Sequence, residues 1–454
     1  MNENDSISEF NRRDFLKGGS FAALATLMGG VRLMAQTNTS ETPVNAPVTK
    51  TKVAVIGLGA WGREILDQLA RLPQADLAAI CDNYGASLRR AASKAPNATQ
   101  TEDYKTILAN KDIKAVVIAT PTHLHKEIVL AALAAGKHVY CEAPLACTLE
   151  ETKEIALAAK KNTRVVFQAG LQLRCDPQEA FLLKFARSGA LGKWAMSRGQ
   201  WNKKTSWRAT SPNPDREKAL NWRLAKESSL GIIGELGLNQ IDRATRYFHA
   251  LPTAVSGFGT VAFWQDGREV ADTVQAILEY PEGVRLIFNA TLANSFEADA
   301  DVYYGSDAAV MIRGGSAWMF KETDAPLLGW EVYARKDNFL QETGISLRMD
   351  ASKLKAQGSA AAQQVEIPDP PLFFALQTFL RNAAEVGGAV EDFIGTYGDS
   401  DAAALAEHLS KNIHPLPAPD YLDGYRATAL AIKVNEAVVK GERITIPKSW
   451  YELA

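Results

Sequence analysis

The feature that most constrains this chain is a short apolar run, Lys52-Val-Ala-Val-Ile56, that leads directly into Gly57-Leu-Gly59-Ala-Trp-Gly62. A helical pattern follows from about Ala60 to Leu72. A brief β-branched run ending in glycine reads as a buried parallel strand. Glycines at this spacing permit a tight turn between strand and helix. They also let the backbone approach a pyrophosphate seated at the helix N-terminus. Asp82 ends the next strand, Leu77 to Cys81, 20 residues beyond Gly62. A carboxylate there accepts hydrogen bonds from ribose hydroxyls and repels a 2′-phosphate. Asn83-Tyr84 follow it and no arginine does, so NAD is expected in preference to NADP. Gly57, Gly59, Ala60, Trp61, Gly62 and Asp82 are the candidate cofactor contacts of this turn.

Alternation of strand and helix continues beyond the turn. Helical patterns near Ala86 to Lys94, Lys126 to Ala135 and Glu150 to Lys161 alternate with apolar runs at Ala115 to Ala119, His138 to Cys141 and Arg164 to Gln168. Short connections between such elements imply right-handed βαβ crossovers and a doubly wound parallel sheet. After a helix near Asp176 to Ser188 the pattern changes. Strand-like segments then recur at Lys193 to Trp201, Ala254 to Trp264, Thr273 to Tyr280, Val284 to Thr291, Ala300 to Tyr304 and Ala308 to Ile312, with hairpin punctuation such as Tyr280-Pro-Glu-Gly283. Late helices are expected at Leu372 to Val386 and Tyr425 to Lys440, and the Ala/Gln/Lys-rich stretch Lys353 to Gln364 reads as a surface excursion. The 454 residues suffice for two cores. The expected fold class is α/β, with a Rossmann domain over residues 51–170 and a second α/β domain over 171–454. The second domain carries a mainly antiparallel open sheet and a closing helix and strand near 425–447.

Ahead of both lies Asn11-Arg12-Arg13-Asp14-Phe15-Leu16-Lys17, then the small, apolar stretch Gly18 to Val31. This resembles a twin-arginine export signal, expected to end near Ala35, with residues 36–50 as linker. The resemblance implies a periplasmic or otherwise exported protein and the twin-arginine machinery as a transient partner. That route carries folded proteins, often with cofactor bound. The apolar run is too short to span a membrane, so the mature form is expected to have no membrane partner. A net charge of -2 and the absence of any run of five Lys/Arg give no reason to expect nucleic acid. Cys81, Cys141, Cys147 and Cys175 form no CxxC pair and no metal-ligand spacing, so no metal is expected.

Ala119-Thr120-Pro121-Thr122-His123-Leu124-His125 follows the Ala115 strand. In a parallel sheet such loops face the ligand crevice, which makes Thr120, Pro121, His123 and His125 candidates for the nicotinamide side. Four segments together resemble the Gfo/Idh/MocA oxidoreductases: the glycine turn, the ATPTHLH loop, Cys141-Glu142-Ala143-Pro144, and Gly234-Glu-Leu-Gly237-Leu-Asn-Gln-Ile-Asp242. The ending, Tyr425-Arg-Ala-Thr428 through Asn435-Glu436 to Ile446-Pro447, resembles the family's C-terminal helix and strand, and the export signal with Asn221-Trp222-Arg223-Leu224 resembles its exported branch. It implies a Rossmann domain joined to an open-sheet domain, hydride transfer between NAD(P) and a sugar or polyol carbon, and self-association through the open sheet. Some members of the family oxidise a sugar only transiently, so that a glycosidic bond can be eliminated.

Two positions depart from the family pattern. Ala143 stands where the family keeps a lysine, and Asn239 where it keeps a histidine; Glu235 holds the acidic position. Alanine cannot carry a proton, and asparagine is no base near neutral pH. Three readings therefore stay open. Other groups substitute, among Glu142, Glu235, His125, Tyr140, Lys203 and Lys204; or Glu235 serves a different reaction, such as elimination; or the chain is a non-catalytic NAD- or carbohydrate-binding relative. Trp201, Trp207 and Trp222, interleaved with basic residues, suit either a sugar cleft or a core. Gln168, Gln172 and Arg174 either line the cleft or join the domains.

Overall fold

The computed structural model describes residues 50–334, 336–339, 342–347 and 369–453. The export-signal segment, the linker and the Lys353 to Gln364 excursion lie outside the described residues. The first sheet has six parallel strands: β1 (Thr51–Ile56), β2 (Ala75–Cys81), β3 (Thr99–Thr101), β4 (Ala115–Ile118), β5 (His138–Cys141) and β6 (Phe167–Ala169). Their order is β3-β2-β1-β4-β5-β6. The chain reverses direction across this sheet at β1, which puts the crevice at the carboxyl ends of β1 and its neighbours. The helices between strands are α1 (Ala60–Ala70), α2 (Gly85–Ala92), α3 (Tyr104–Ala109), α4 (His125–Ala134) and α5 (Leu149–Lys161).

Period-2 burial divides each central strand between two cores. Val53 and Val55 of β1 and Ala115 and Val117 of β4 join one cluster, Ala54, Ile56, Val116 and Ile118 the other. The chain continues through α6 (Pro177–Arg187), β7 (Trp194–Asn202), α7 (Pro214–Leu220) and α8 (Leu238–Phe248) into the second sheet. That sheet adds β8 (Ala254–Thr260), β9 (Thr273–Glu279), β10 (Arg285–Thr291), β11 (Asp299–Gly305), β12 (Ala308–Arg313), β13 (Ser316–Lys321), β14 (Lys336–Phe339) and β15 (Glu342–Ser346). The closing elements are α9 (Pro371–Tyr397), α10 (Ala402–Asn412), α11 (Tyr421–Lys440) and β16 (Arg443–Thr445). Among the described residues the second sheet has ten strands, antiparallel except where β7 and β10 pair in parallel. The α/β class and the mostly antiparallel second sheet agree with the sequence reading.

Two local differences have physical causes. The strand expected over Ala254 to Trp264 stops at Thr260. The buried Asp272 carboxylate takes the backbone N–H groups of Ala262, Phe263 and Trp264 at 2.8, 2.9 and 2.8 Å, which folds the chain into a turn. Helix α9, although it follows the second sheet in the chain, packs Leu372, Leu376, Phe379 and Leu380 into the Rossmann core beside Val55 and Ile65. Helix α11 bridges both domains: Thr428 Oγ1 accepts from the Leu145 N–H at 3.0 Å, and a side chain at Gly424 would meet Ala169 and Leu145.

Candidate functional site

The glycine turn sits at the carboxyl end of β1. Gly57 has φ +97°, and a Cβ there would lie 2.6 Å from the Ala119 carbonyl oxygen. A Cβ on Gly62 would overlap the Gly57 carbonyl oxygen. Both positions are thus reserved for glycine by the protein's own packing. Gly59 differs, because a Cβ there would meet nothing within 4 Å. Open space lies beside the backbone just where α1 begins. Gly59 caps that helix without a side-chain bond, and no acidic residue occupies the first turn. The first N–H groups and the positive end of the helix dipole are left for an anion. Ala60 and the Trp61 ring, 37% exposed, border this space. Asp82 Oδ2 accepts from Leu58 N and Oδ1 from Tyr84 N, both at 2.9 Å. Each oxygen keeps a second lone pair for a ribose hydroxyl. The residues present fit a dinucleotide.

Next to it runs the loop after β4. Thr120 Oγ1 is buried with no protein partner, and Pro121 leads into a 3₁₀ turn over Thr122–Leu124. His125, expected as a candidate proton carrier, is 1% exposed. Its Nε2 lies 2.9 Å from the Thr120 carbonyl and its Nδ1 3.0 Å from the Pro144 carbonyl. Burial pushes this imidazole down to about 4. Both nitrogens face backbone carbonyls and the neutral ring donates to one of them, so His125 sits between the loops after β4 and β5 and leaves no ring edge for substrate. His123 faces the Trp222 ring, centroids 6.3 Å apart, and burial lowers its pKa.

Glu142 follows β5. Its Oε1 and the neighbouring Tyr140 hydroxyl are both buried without a partner of normal hydrogen-bond geometry. Burial pushes the carboxyl up to about 7; Trp61 and Tyr140 oppose the rise, and the Glu235 charge adds to it. The side chain is accommodated because residue 170 is glycine: a Cβ there would lie 2.7 Å from Glu142 Oε2. Tyr140 itself packs edge-on against Phe379 at 5.8 Å, inside the core.

The second domain brings Glu235 to the same place. A π-helical turn over Ile233–Gly237 precedes α8, and Gly234 lies against Pro144, where a Cβ would stand 3.1 Å from the proline ring. Glu235 Oε2 accepts from Arg223 Nε at 2.8 Å, and Oε1 accepts from Thr122 Oγ1 at 3.4 Å. The Glu235 side chain is only 9% exposed. Burial raises its pKa, and Arg223 and Thr122 oppose that rise. The Arg223 guanidinium also stacks over Trp222 at 4.3 Å. Asn239 stands one helical turn beyond Glu235 and is half-buried, and its side chain makes no hydrogen bond to the side chain of another described residue.

The structure therefore gathers Glu142, Glu235, Thr122 and His123 at the carboxyl edge of the Rossmann sheet. Gln168 and Arg174 act as domain ties. Gln168 Nε2 donates to the Ala375 carbonyl at 2.9 Å; Arg174 holds Asp242 through two bonds of 2.9 and 2.7 Å and Asp423 at 2.6 Å. Lys204 lies over the Phe263 ring at 5.0 Å. Trp201 and Trp207 pack against the core. Sequence reasoning sets Arg223 among the basic residues of a possible sugar cleft but does not pair it with Glu235, and it leaves out Thr122. The signal for Arg223 was faint: a basic residue in an aromatic stretch, 12 positions before the carboxylate it holds.

A glycine turn built for pyrophosphate, facing a second domain that brings Glu235 to the same edge as Glu142, defines a dinucleotide-dependent oxidoreductase fold. Residues 51–170 match the oxidoreductase family with NAD-binding Rossmann fold, and residues 182–313 match the GFO/IDH/MocA C-terminal domain. The chain belongs to the Gfo/Idh/MocA family of oxidoreductases. Levoglucosan dehydrogenase of Pseudarthrobacter phenanthrenivorans is 37% identical over 145 residues, 32% of this chain and 35% of that protein. Inositol 2-dehydrogenase of Salmonella typhimurium is 30% identical over 151 residues, 33% of this chain and 45% of that protein. These matches span a third to under half of the relatives' lengths. An uncharacterized oxidoreductase of Bacillus subtilis is 28% identical over 267 residues, 58% of this chain and 72% of that protein. In fold, the chain resembles levoglucosan dehydrogenase in complex with NADH and levoglucosan, with TM-score 0.64, 21% identity, and coverage of 88% of this chain and 100% of that one. It also resembles the Caulobacter crescentus aldose-aldose oxidoreductase, with TM-score 0.60, 19% identity, and coverage of 87% and 100%.

Proposed function

We propose that this protein transfers hydride between a bound NAD and a carbon of a sugar, polyol or sugar derivative, with Glu235 and Glu142 handling the proton. The observation that carries this reading is the Glu235–Arg223 pair beside Thr122. It supplies a buried carboxylate and a fixed positive charge where Ala143 and Asn239 supply neither a base nor a cation. NAD, when bound, provides the hydride acceptor. Arg223 favours the ionised form of Glu235, which can then accept a hydroxyl proton. Glu142, pushed up to about 7, is poised to give or take a proton near neutrality. Asn239 is placed to orient a substrate hydroxyl, and Trp222 offers an apolar face to a sugar ring.

The same two buried carboxyls, one of them paired with Arg223, also suit a transient oxidation followed by elimination. Export is part of the proposal: Arg12-Arg13 and the apolar stretch after them support a periplasmic protein that leaves the cytoplasm folded. Self-association through the outer face of the second sheet is supported by Phe258, Ile277 and Ile287, which share that face and are 62%, 41% and 37% exposed.

The test begins with mass spectrometry of the denatured protein, followed by absorbance at 340 nm during challenge with neutral sugars, polyols and glycosides. NAD in the protein, with NADH appearing for one of these compounds, is the expected result. Absence of dinucleotide and failure to bind added NAD would remove both redox readings. Sugar release without net NADH marks elimination. Bound NAD and sugar-dependent thermal shifts without any chemistry mark a binding protein.

A further inference from the structure

We propose that residues 203–228 form a strap across the dinucleotide groove that keeps the cofactor resident between turnovers, with Arg216 as its clasp. The inference rests on the reading that the glycine turn holds NAD. After β7 the chain does not proceed directly to the Glu235 turn. It makes an excursion that is stapled to itself and to its base. Arg208 Nη1 donates to the Asp266 carbonyl at 2.6 Å and Nη2 to Glu217 Oε1 at 2.9 Å. Asn221 exchanges bonds of 2.8 and 2.9 Å with the backbone of Ala209. Arg268 bonds the Ser206 carbonyl. The excursion is therefore a preformed loop and not a free tail.

It touches the Rossmann domain at both flanks of the glycine turn. The Arg216 guanidinium lies 3.9 Å from the centroid of the Tyr84 ring, in the loop after β2. Trp222 faces His123, in the loop after β4, and Arg223 joins Glu235 beside Thr122. Strand order puts β1 between β2 and β4. A segment tied to both outer loops must cross the carboxyl end of β1, where Gly59 and the first turn of α1 receive the pyrophosphate. Adjacent strands are about 4.8 Å apart, so β2 and β4 lie about 10 Å apart, and the seven residues from Arg216 to Trp222 span that gap. Arg216 Nε is buried without an acceptor among the described residues. Such a donor is costly unless something satisfies it, and the hydroxyls and phosphate oxygens of a dinucleotide are acceptors of the right kind.

Its Arg216 clasp slows escape of the cofactor and is separate from Trp222 and Arg223, the residues of the same segment assigned to the chemistry. The measurement uses the full chain loaded with NAD. Nucleotide retained after gel filtration is quantified by mass spectrometry, and the release rate is followed by exchange against excess NADH through its fluorescence. Arg216→Ala is expected to release NAD roughly tenfold faster than the parent, the size of a desolvated cation–π contact. Arg216→Lys, which keeps a cation over Tyr84, should fall between the two. Lys218→Ala, exposed on the same helix, should match the parent. Far-ultraviolet circular dichroism separates a faster release from loss of fold. NAD that leaves the parent and Arg216→Ala at the same rate overturns the strap and leaves the cofactor reading intact. A protein that neither contains nor binds NAD overturns the cofactor reading, and this inference with it.

Discussion

Arg223 Nε lies 2.8 Å from Glu235 Oε2, and this pair puts a permanent positive charge within the cleft of a chain whose residue 143 is alanine. Lysine in such a place titrates; a guanidinium does not. Arg223 belongs to the second domain and sits on an irregular segment, away from the strand end of the Rossmann domain that carries Ala143.

Removal of that cation should be felt in turnover even in protein fully loaded with NAD. Arg223→Met is expected to lower kcat/KM on whichever sugar turns over by about 10²–10³, the usual cost of one preorganised electrostatic group. Without Arg223, burial raises the Glu235 pKa further, so the acidic limb of the pH–rate profile should move to higher pH. Arg223→Lys should recover part of the rate. Bound NAD, measured by mass spectrometry beside the rate, separates this loss of turnover from any loosening of the strap that the Arg223–Glu235 pair helps to anchor.

The glycines of the turn should separate into two kinds. A Cβ on Gly62 collides with the Gly57 carbonyl oxygen, so Gly62→Ala must displace the backbone of the turn and should lower both thermal stability and NAD binding. A Cβ on Gly59 meets no protein atom within 4 Å. Gly59→Ala should keep the melting temperature of the dinucleotide-free protein while weakening NAD by roughly tenfold or more, because the methyl group enters the space left for the pyrophosphate. Calorimetric titration of NAD beside thermal melts of the free protein tests the contrast.

These glycines and Asp82 were legible in the sequence because strand, turn, helix and carboxylate lie within 30 residues and obey local rules. Arg223 and Glu235 were not legible as a pair, since nothing local couples an irregular Trp-Arg segment to a π-helical turn; tertiary approach does. Short elements were lost for a related reason. Thr99–Thr101 carries no apolar run, and Pro214–Leu220 buries none of its residues, so neither has a hydrophobic period to read. The strand expected through Ala262 to Trp264 failed because Asp272, eight to ten positions away, competes for their N–H groups. His125 read as a histidine facing the crevice, yet its role depends on the Pro144 carbonyl, which comes from the next strand's loop.

Glu142 should leave a mark on the pH dependence of stability. Its carboxyl, ordinarily at 4.5, is pushed up to about 7 by burial. Between those values the folded protein holds a proton that the unfolded chain has lost. The stabilisation it contributes is complete at low pH and disappears as pH rises through 7, with a slope of at most about 1.4 kcal/mol per pH unit. Glu142→Gln is neutral in both states and lacks this loss. The stability of Glu142→Gln minus that of the parent should therefore increase from pH 5 to pH 8 in urea melts of the dinucleotide-free proteins. A constant difference would mean that Glu142 ionises as an ordinary surface glutamate.

The sharpest prediction concerns whether one cation can replace the other. Position 143 adjoins the Glu235 turn, since Pro144 packs against Gly234. A lysine at 143 in the parent would compete with Arg223 for a carboxylate that already has its counter-ion, and one of the two cations would be left desolvated without a partner. Ala143→Lys alone should therefore lower kcat/KM. In the Arg223→Met background the same substitution supplies the missing charge, and activity should rise above that of Arg223→Met. The recovered enzyme should also acquire an alkaline limb in its pH–rate profile, because lysine loses its proton where arginine keeps it. If Ala143→Lys is equally harmful in both backgrounds, the two cations do not share a function and Arg223 serves only to hold the Trp222 segment in place.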